Sequence, residues 1–258
     1  MRVHLDQGPA HRHRERLSEA AIKQDAAARL APLKEVKRKP AGPALRVTEI
    51  FNSLQGEGRE IGLPTVFVRL TGCNLRCVWC DTEYSFTGGE WMALEDVVRA
   101  VEAFPGVKHV CLTGGEPLLQ RDHQDLLRAL LARGYHIVVE TSGSKPIEGA
   151  HLDDRVCVSM DIKCPGSHEE GAMLWENLAK LGRKDQLKFV IADEKDYAYA
   201  KSVMEGRAKG CPAEVVFQPV GGSLDGVLRI AGWARRDGLH VRVLPQLHKL
   251  LWGDAPGR

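Results

Sequence analysis

From residue 44 onward, short and nearly continuous apolar runs alternate with stretches whose apolar residues recur three and four apart. The runs lie at 66–70, 109–112, 136–140, 156–160, 187–191, 214–217 and 241–244. Each is too short for a buried helix, and most are rich in Val and Ile, which predicts strands. Helical spacing fills 93–104, 122–132, 173–181, 193–204 and 224–236, as Leu94, Val97, Val98 and Val101 illustrate. Strands without polar alternation are buried on both faces, and intervening helices supply that cover. The pattern predicts an α/β fold built on a parallel sheet. One stretch departs from it: 141–155, with Gly143, Pro146 and Gly149, has no helical spacing, so one covering helix is expected to be missing.

Polar residues then select one end of that sheet. A cysteine-bearing loop follows the first run, and Thr113-Gly114-Gly115-Glu116-Pro117 follows the second. Glu140 to Gly143 end the third, Asp161 and Lys163 follow the fourth, Gln218 ends the sixth, and Gln246 and His248 follow the seventh. Parallel sheets assemble their sites where strands end at the carboxyl side. These exits are therefore expected to meet at one mouth.

Size and charge narrow the classes. A length of 258 residues suits one larger α/β domain, and a net charge of +2 gives no long-range field for nucleic acid. No apolar stretch reaches the length of a membrane span. Without a recognisable export signal, the thiols are expected to stay reduced in the cytoplasm. Residues 1–44 differ from the rest, holding His11-Arg12-His13-Arg14 and the basic run Lys37-Arg38-Lys39. A helix over 18–30 would stop at Pro32. A flexible N-terminal extension is expected there, with the folded domain at 45–258.

The strongest chemical signal is Cys73, Cys77 and Cys80, spaced C-x3-C-x2-C in the loop after the first run. Thiolates hold iron–sulfur clusters, and four are needed to close a cubane. Three leave one iron open to a small molecule, which an enzyme can use and an electron carrier cannot. A structural zinc site wants four ligands, so it would need a distant His or Asp81. A disulfide would leave one thiol over. Cys111 and Cys157 sit in apolar runs as small buried hydrophobes.

Together these residues resemble the radical S-adenosylmethionine (SAM) superfamily: the cysteine loop matches its cluster signature, and Gly114-Gly115-Glu116-Pro117 its second motif. The chain more closely resembles the 7-carboxy-7-deazaguanine synthase family. That match rests on Glu49 through Gly58, Gly62-Leu63-Pro64, Phe67 through Leu75 and Trp79-Cys80-Asp81-Thr82. It continues in Asp161-Ile162-Lys163-Cys164-Pro165 and Gln246-Leu247-His248-Lys249. The resemblance implies a partial, open parallel (β/α) barrel with a reduced set of helices. It also implies a lyase converting 6-carboxy-5,6,7,8-tetrahydropterin to 7-carboxy-7-deazaguanine and ammonia, in queuosine or another 7-deazapurine pathway. A [4Fe-4S] cluster, SAM and Mg²⁺ would be required, SAM being cleaved reductively and re-formed. An electron donor such as flavodoxin or ferredoxin and a homodimer are further implications.

Residue by residue, the resemblance makes Cys73, Cys77 and Cys80 the cluster ligands and Thr82 a Mg²⁺ ligand, although its hydroxyl could instead bond its own loop. Gly115 and Glu116 would hold the methionine end of SAM. Asp161, Lys163 and Gln218 would hold its ribose and adenine side, unless they serve ordinary polar roles, and Trp79 would shield it. Leu54, Gln55, Gly56 and Glu57 would read the pterin edge or form a plain Gly turn. Arg69, a charge late in an apolar run, would clamp the substrate carboxylate or pair with Glu140 or Glu57. Thr113 would face the substrate; His248 would bond it or be a packed histidine. Cys164 would line the site or pack inertly. Two other functions fit parts of this pattern: a glycyl-radical activating enzyme acting on a protein loop, and a zinc or iron–sulfur module without catalysis.

Overall fold

The predicted runs form the parallel part of a nine-stranded sheet in a computed structural model that describes residues 38–150, 153–253, 255 and 257. The readings of residues 1–37 lie outside the described residues. In chain order come β1 (Ala44–Leu54), β2 (Pro64–Leu70), β3 (Glu90–Ala93), α1 (Leu94–Glu102), β4 (His109–Gly114), α2 (His123–Ala132) and β5 (His136–Thr141). There follow β6 (Val156–Ile162), β7 (Gln186–Ile191), α3 (Glu194–Glu205), β8 (Glu214–Pro219), α4 (Leu224–Arg236), β9 (Arg242–Val243) and α5 (Leu247–Trp252). The sheet order is β3-β1-β2-β4-β5-β6-β7-β8-β9, so β3 and β9 are edges and the barrel is open. Every neighbouring pair from β2 to β9 is parallel, whereas β1 runs antiparallel to β2 and β3.

Alternation along the strands gives the sheet two distinct faces. Val66, Val68, Leu70, Val110, Leu112, Val139 and Phe189 point to the helix-covered face, where Val97, Val98 and Val101 of α1 and Leu126, Leu127 and Leu130 of α2 complete the main core. The residues between them form a second, smaller apolar layer on the inner face: Phe51, Phe67, Cys111, Val138 and Cys157. Phe51 and Phe67 stack there with ring centroids 4.9 Å apart. Two helix starts are fixed by side chains: Asp193 accepts from the Lys195 and Asp196 amides, and Ser223 from the Gly226 amide.

Several elements differ from the pattern's prediction. β1 and β3 carry too many polar residues to read as apolar runs, and α5 is too short to show a period. The helix expected over 173–181 is instead a pair of 3-10 turns, Glu170–Ala172 and Trp175–Lys180. Buried Asn177 explains the second. Its Nδ2 donates to the Gly143 and Lys145 carbonyls at 3.2 and 2.9 Å, and its Oδ1 accepts from the Ile147 amide at 3.2 Å. The segment is thereby tied to the stretch after β5 that lacks a helix, as the sequence led one to expect.

The segment between β1 and β2 crosses to the opposite side of the sheet. The Arg59 amide donates to Gln186 Oε1 at 3.0 Å, and Arg59 Nη1 to the Arg183 carbonyl at 2.8 Å. Arg59 Nε also lies 3.4 Å from Glu214 on β8. This segment enters from the amino ends of the parallel strands and forms a floor beneath the mouth.

Candidate active site

Register places the site directly above the inner apolar layer. Two residues beyond Phe67, Cys111, Val138 and Gln186, the same face carries Arg69, Thr113, Glu140 and Lys188. Asp161, four beyond Cys157, joins them. Arg69 is paired with Thr113 in the ladder, and Asp161 with Lys188. Two adjoining chambers open over this polar layer, and their common walls include Glu57, Thr82, Thr113, Glu140 and Lys188.

The first chamber holds the three cysteines together with Trp79, Thr82, Gly115, Asp161 and Lys163. Its cysteine loop is folded tightly. A Cβ on Gly115 would lie 2.4 Å from the Gly72 carbonyl oxygen and 2.6 Å from Cys73 Cβ, so only glycine lets the β4 exit lie flat against the loop. Cys73 Sγ accepts the Leu75 amide at 3.4 Å, and Cys80 Sγ lies 3.7 Å from Thr82 Oγ1. Burial pushes the Cys73 and Cys77 thiols up, so a metal's charge is needed to make them thiolates. The three thiols are free and half-buried. They line a cavity and do not converge with other His, Cys, Asp or Glu of the described residues on a single-ion point.

Glu116 does not face the chamber. Its carboxylate is fully buried and accepts from Thr141 Oγ1 at 2.9 Å, the Ser142 amide at 2.7 Å, Ser142 Oγ at 2.5 Å and the Leu118 amide at 3.0 Å. It locks the exits of β4 and β5 together. Gln218 is likewise buried outside both chambers: its Nε2 donates to the Pro245 carbonyl at 3.2 Å, and its Oε1 has no partner among the described residues. Cys164 packs in the main core.

The second chamber is lined by Leu54, Gln55, Gly56, Glu57, Arg69, Thr113 and His248. Gly56 touches the His248 ring so closely that a Cβ would meet Nδ1 at 2.1 Å. Arg69 pairs with Glu49, its cross-strand partner on β1, and not with Glu140 or Glu57. Its Nε donates to Glu49 Oε1 at 2.8 Å, and the Tyr84 hydroxyl donates to the same oxygen at 2.8 Å. Burial alone would lower the Arg69 pKa; Tyr84 and Glu49 outweigh it and hold the guanidinium charged.

An ion chain runs through the shared wall. Lys163 lies 2.7 Å from Asp161, Asp161 lies 3.1 Å from Lys188, and Lys188 binds Glu57, which also accepts from Gln246 at 2.6 Å. Burial raises the Glu57 pKa, but Lys188 and Gln246 more than offset it and bring it to about 2. Asp161 is likewise lowered, burial being outweighed by Lys163 and Lys188. Lys188 is the residue that the sequence reading missed. Its signal was a charge inside the run 187–191, the same signal that singled out Arg69.

The family model of the radical SAM superfamily matches residues 67–161, which span the cysteine loop and β4 to β6. A 7-carboxy-7-deazaguanine synthase of Thermoplasma acidophilum is 42% identical over 212 residues, covering 82% of this chain and 99% of that protein. The chain belongs to the 7-carboxy-7-deazaguanine synthase family. A second member, from Koribacter versatilis, is 39% identical and covers 81% of this chain and 97% of its own. The crystal structure of QueE from Escherichia coli superposes with a TM-score of 0.63 at 22% identity, over 78% of this chain and 94% of that one, a likeness of fold. As a radical SAM enzyme of this family, the protein uses a [4Fe-4S] cluster and SAM and acts on a small molecule. Cys73, Cys77 and Cys80, three thiols lining one chamber, fit the cluster. No helix among the described residues is long and apolar enough to cross a membrane.

Proposed function

We propose that this enzyme converts 6-carboxy-5,6,7,8-tetrahydropterin to 7-carboxy-7-deazaguanine with release of ammonia. The observation that carries the reading is the pair of chambers meeting at one wall: the thiols line one, and a carboxylate, an arginine and a glycine-rich floor line the other. When bound, cluster and SAM supply a reducing electron and a carbon radical able to take a hydrogen atom from a C–H bond. This chain's residues hold the substrate against that source and keep solvent out.

Arg69 uses only Nε in its bond to Glu49. Its two terminal nitrogens are thereby left for the substrate carboxylate, a planar match for a fork of donors. Gln55, Gly56 and Glu57 read the pterin's N–H edge from below, with Leu54 packing beside them, and Thr113 and His248 flank it. Thr82 offers a hard oxygen for Mg²⁺, with the substrate carboxylate and waters filling the shell. Trp79, Gly115, Asp161 and Lys163 line the SAM side, whereas Glu116 acts on that side by locking the β4 and β5 exits. A small acidic redox protein, flavodoxin or ferredoxin, would deliver the electron in a reducing cytoplasm, and two chains would form a homodimer.

Anaerobic reconstitution tests the reading. About four irons per chain, reductive formation of 5′-deoxyadenosine and conversion of the pterin are expected. Tight zinc with no response to SAM would replace the enzyme with a metal-stabilised module. SAM cleavage that leaves the pterin untouched and places a glycyl radical on a protein would favour an activating enzyme.

A further inference from the structure

Lys188 sits at the seam of the two chambers, in the middle of a strand whose neighbours Leu187 and Phe189 are buried in the main core. Desolvating an ammonium inside a parallel sheet costs several kcal/mol unless partners restore it. Lys188 completes a chain of two ammoniums and two carboxylates: Asp161 already has Lys163 at 2.7 Å, whereas Gln246, at 2.6 Å from Glu57, is a neutral donor and leaves that carboxylate's charge to Lys188. The arrangement is explained by what Lys188 joins. Asp161 is its ladder partner on β6, so their separation is set by the sheet. Glu57 lies on the floor loop, outside any strand, and Lys188 ties it to the sheet.

We propose that Lys188 is a positioning residue for the reaction, pinning the Glu57 carboxylate in its acceptor form against the β6–β7 edge where the chambers meet. The inference rests on the reading of Glu57 as part of the pterin floor. A pterin's aminopyrimidinone edge presents parallel N–H donors, which an ionised carboxylate accepts and a carboxylic acid does not. With Lys188 on one oxygen and Gln246 on the other, each oxygen keeps a lone pair for substrate.

The charged groups around Glu57 decide what happens without Lys188. Burial and the Asp161 carboxylate on β6 favour the neutral acid, and Glu140 on β5 faces the same cavity; Gln246 and His248 at α5 oppose them, with Lys163 after β6 and Lys249 on α5 in the same walls. The carboxyl would then hold a proton more readily, and where it is protonated the floor would present a donor where the pterin needs an acceptor.

The test is equilibrium binding of 6-carboxytetrahydropterin to the reconstituted, unreduced holoenzyme with SAM, from pH 5.5 to 8, without turnover. Wild-type affinity is expected to show no titration from Glu57. Lys188→Met should bind comparably at the alkaline end and lose affinity as pH falls, about tenfold per unit below the raised pKa. A loss that is equal at every pH, or no loss, would overturn the proposal. If Lys188→Met does not fold, Glu57→Gln and the double variant Glu57→Gln/Lys188→Met carry the test, because the double removes the stranded carboxylate. Acting through Glu57, Lys188 should add no further loss once Glu57 is Gln. A further tenfold loss in the double variant would refute the proposal. Wild-type enzyme that binds no pterin would refute the substrate reading instead.

Discussion

Thr82 lies in the wall common to both chambers, 3.7 Å by its hydroxyl from the Cys80 thiol, and its carbonyl accepts the Ser85 amide at 2.8 Å and the Ser85 hydroxyl at 2.7 Å. Ser85 thus fixes the backbone, while the hydroxyl contacts the Cys80 thiol within its own loop and would turn from it to bind Mg²⁺. In Thr82→Ala the cluster's absorption should remain while stimulation of turnover by Mg²⁺ disappears, a titration of rate against metal being the check. A retained Mg²⁺ response would remove Thr82 from the metal site. The contrast with Glu116 shows what a short motif can and cannot say. Its position two residues past Gly114 marked it for SAM, yet its four internal donors make it a clamp between strands. Local spacing identifies the cysteines because they share one loop. It does not identify the partner of Arg69, which is set by an antiparallel register 20 residues away.

The parallel strands and most helices were legible because burial on both faces leaves an unbroken apolar run. β1 escaped notice for the complementary reason. It alternates buried Val47, Ile50 and Phe51 with exposed or half-exposed Thr48, Glu49 and Asn52, and so reads as a motif of polar residues. The floor between β1 and β2 was illegible as structure because its anchors, Arg183, Gln186 and Glu214, are more than a hundred residues distant. Gly58 is the hinge of that floor. It has φ +69°, and a Cβ there would meet Gln186 Nε2 at 2.4 Å. Gly58→Ala should cost about 1–2 kcal/mol from the backbone alone, with the clash added. Its effect should appear mainly as weakened pterin binding while iron content and SAM binding persist. Loss of the cluster in this variant would mean that floor and cysteine loop are not independent.

For the molecule as a whole, the ion chain links acid sensitivity to the site. Glu57 is depressed from 4.5 to about 2 in the folded protein, and Asp161 is depressed from 3.8. A depressed carboxyl stabilises the fold fully above its unfolded pKa, and that contribution is lost as pH falls toward the folded value. The urea midpoint of the cluster-free chain, followed by circular dichroism, should therefore fall between about pH 4.5 and 2, the window set by Glu57. Glu57→Gln should flatten part of that fall; an unchanged slope would show that the chain contributes nothing to stability.

Because the segment after β1 enters from the amino ends of the strands while the thiols stand at the carboxyl ends, on the proposed reading the two ligands would be approached from opposite directions. Radical initiation and choice of substrate are then encoded in pieces of chain that can drift separately. A change in the length or wording of that insertion would give an enzyme with a new appetite and an untouched spark.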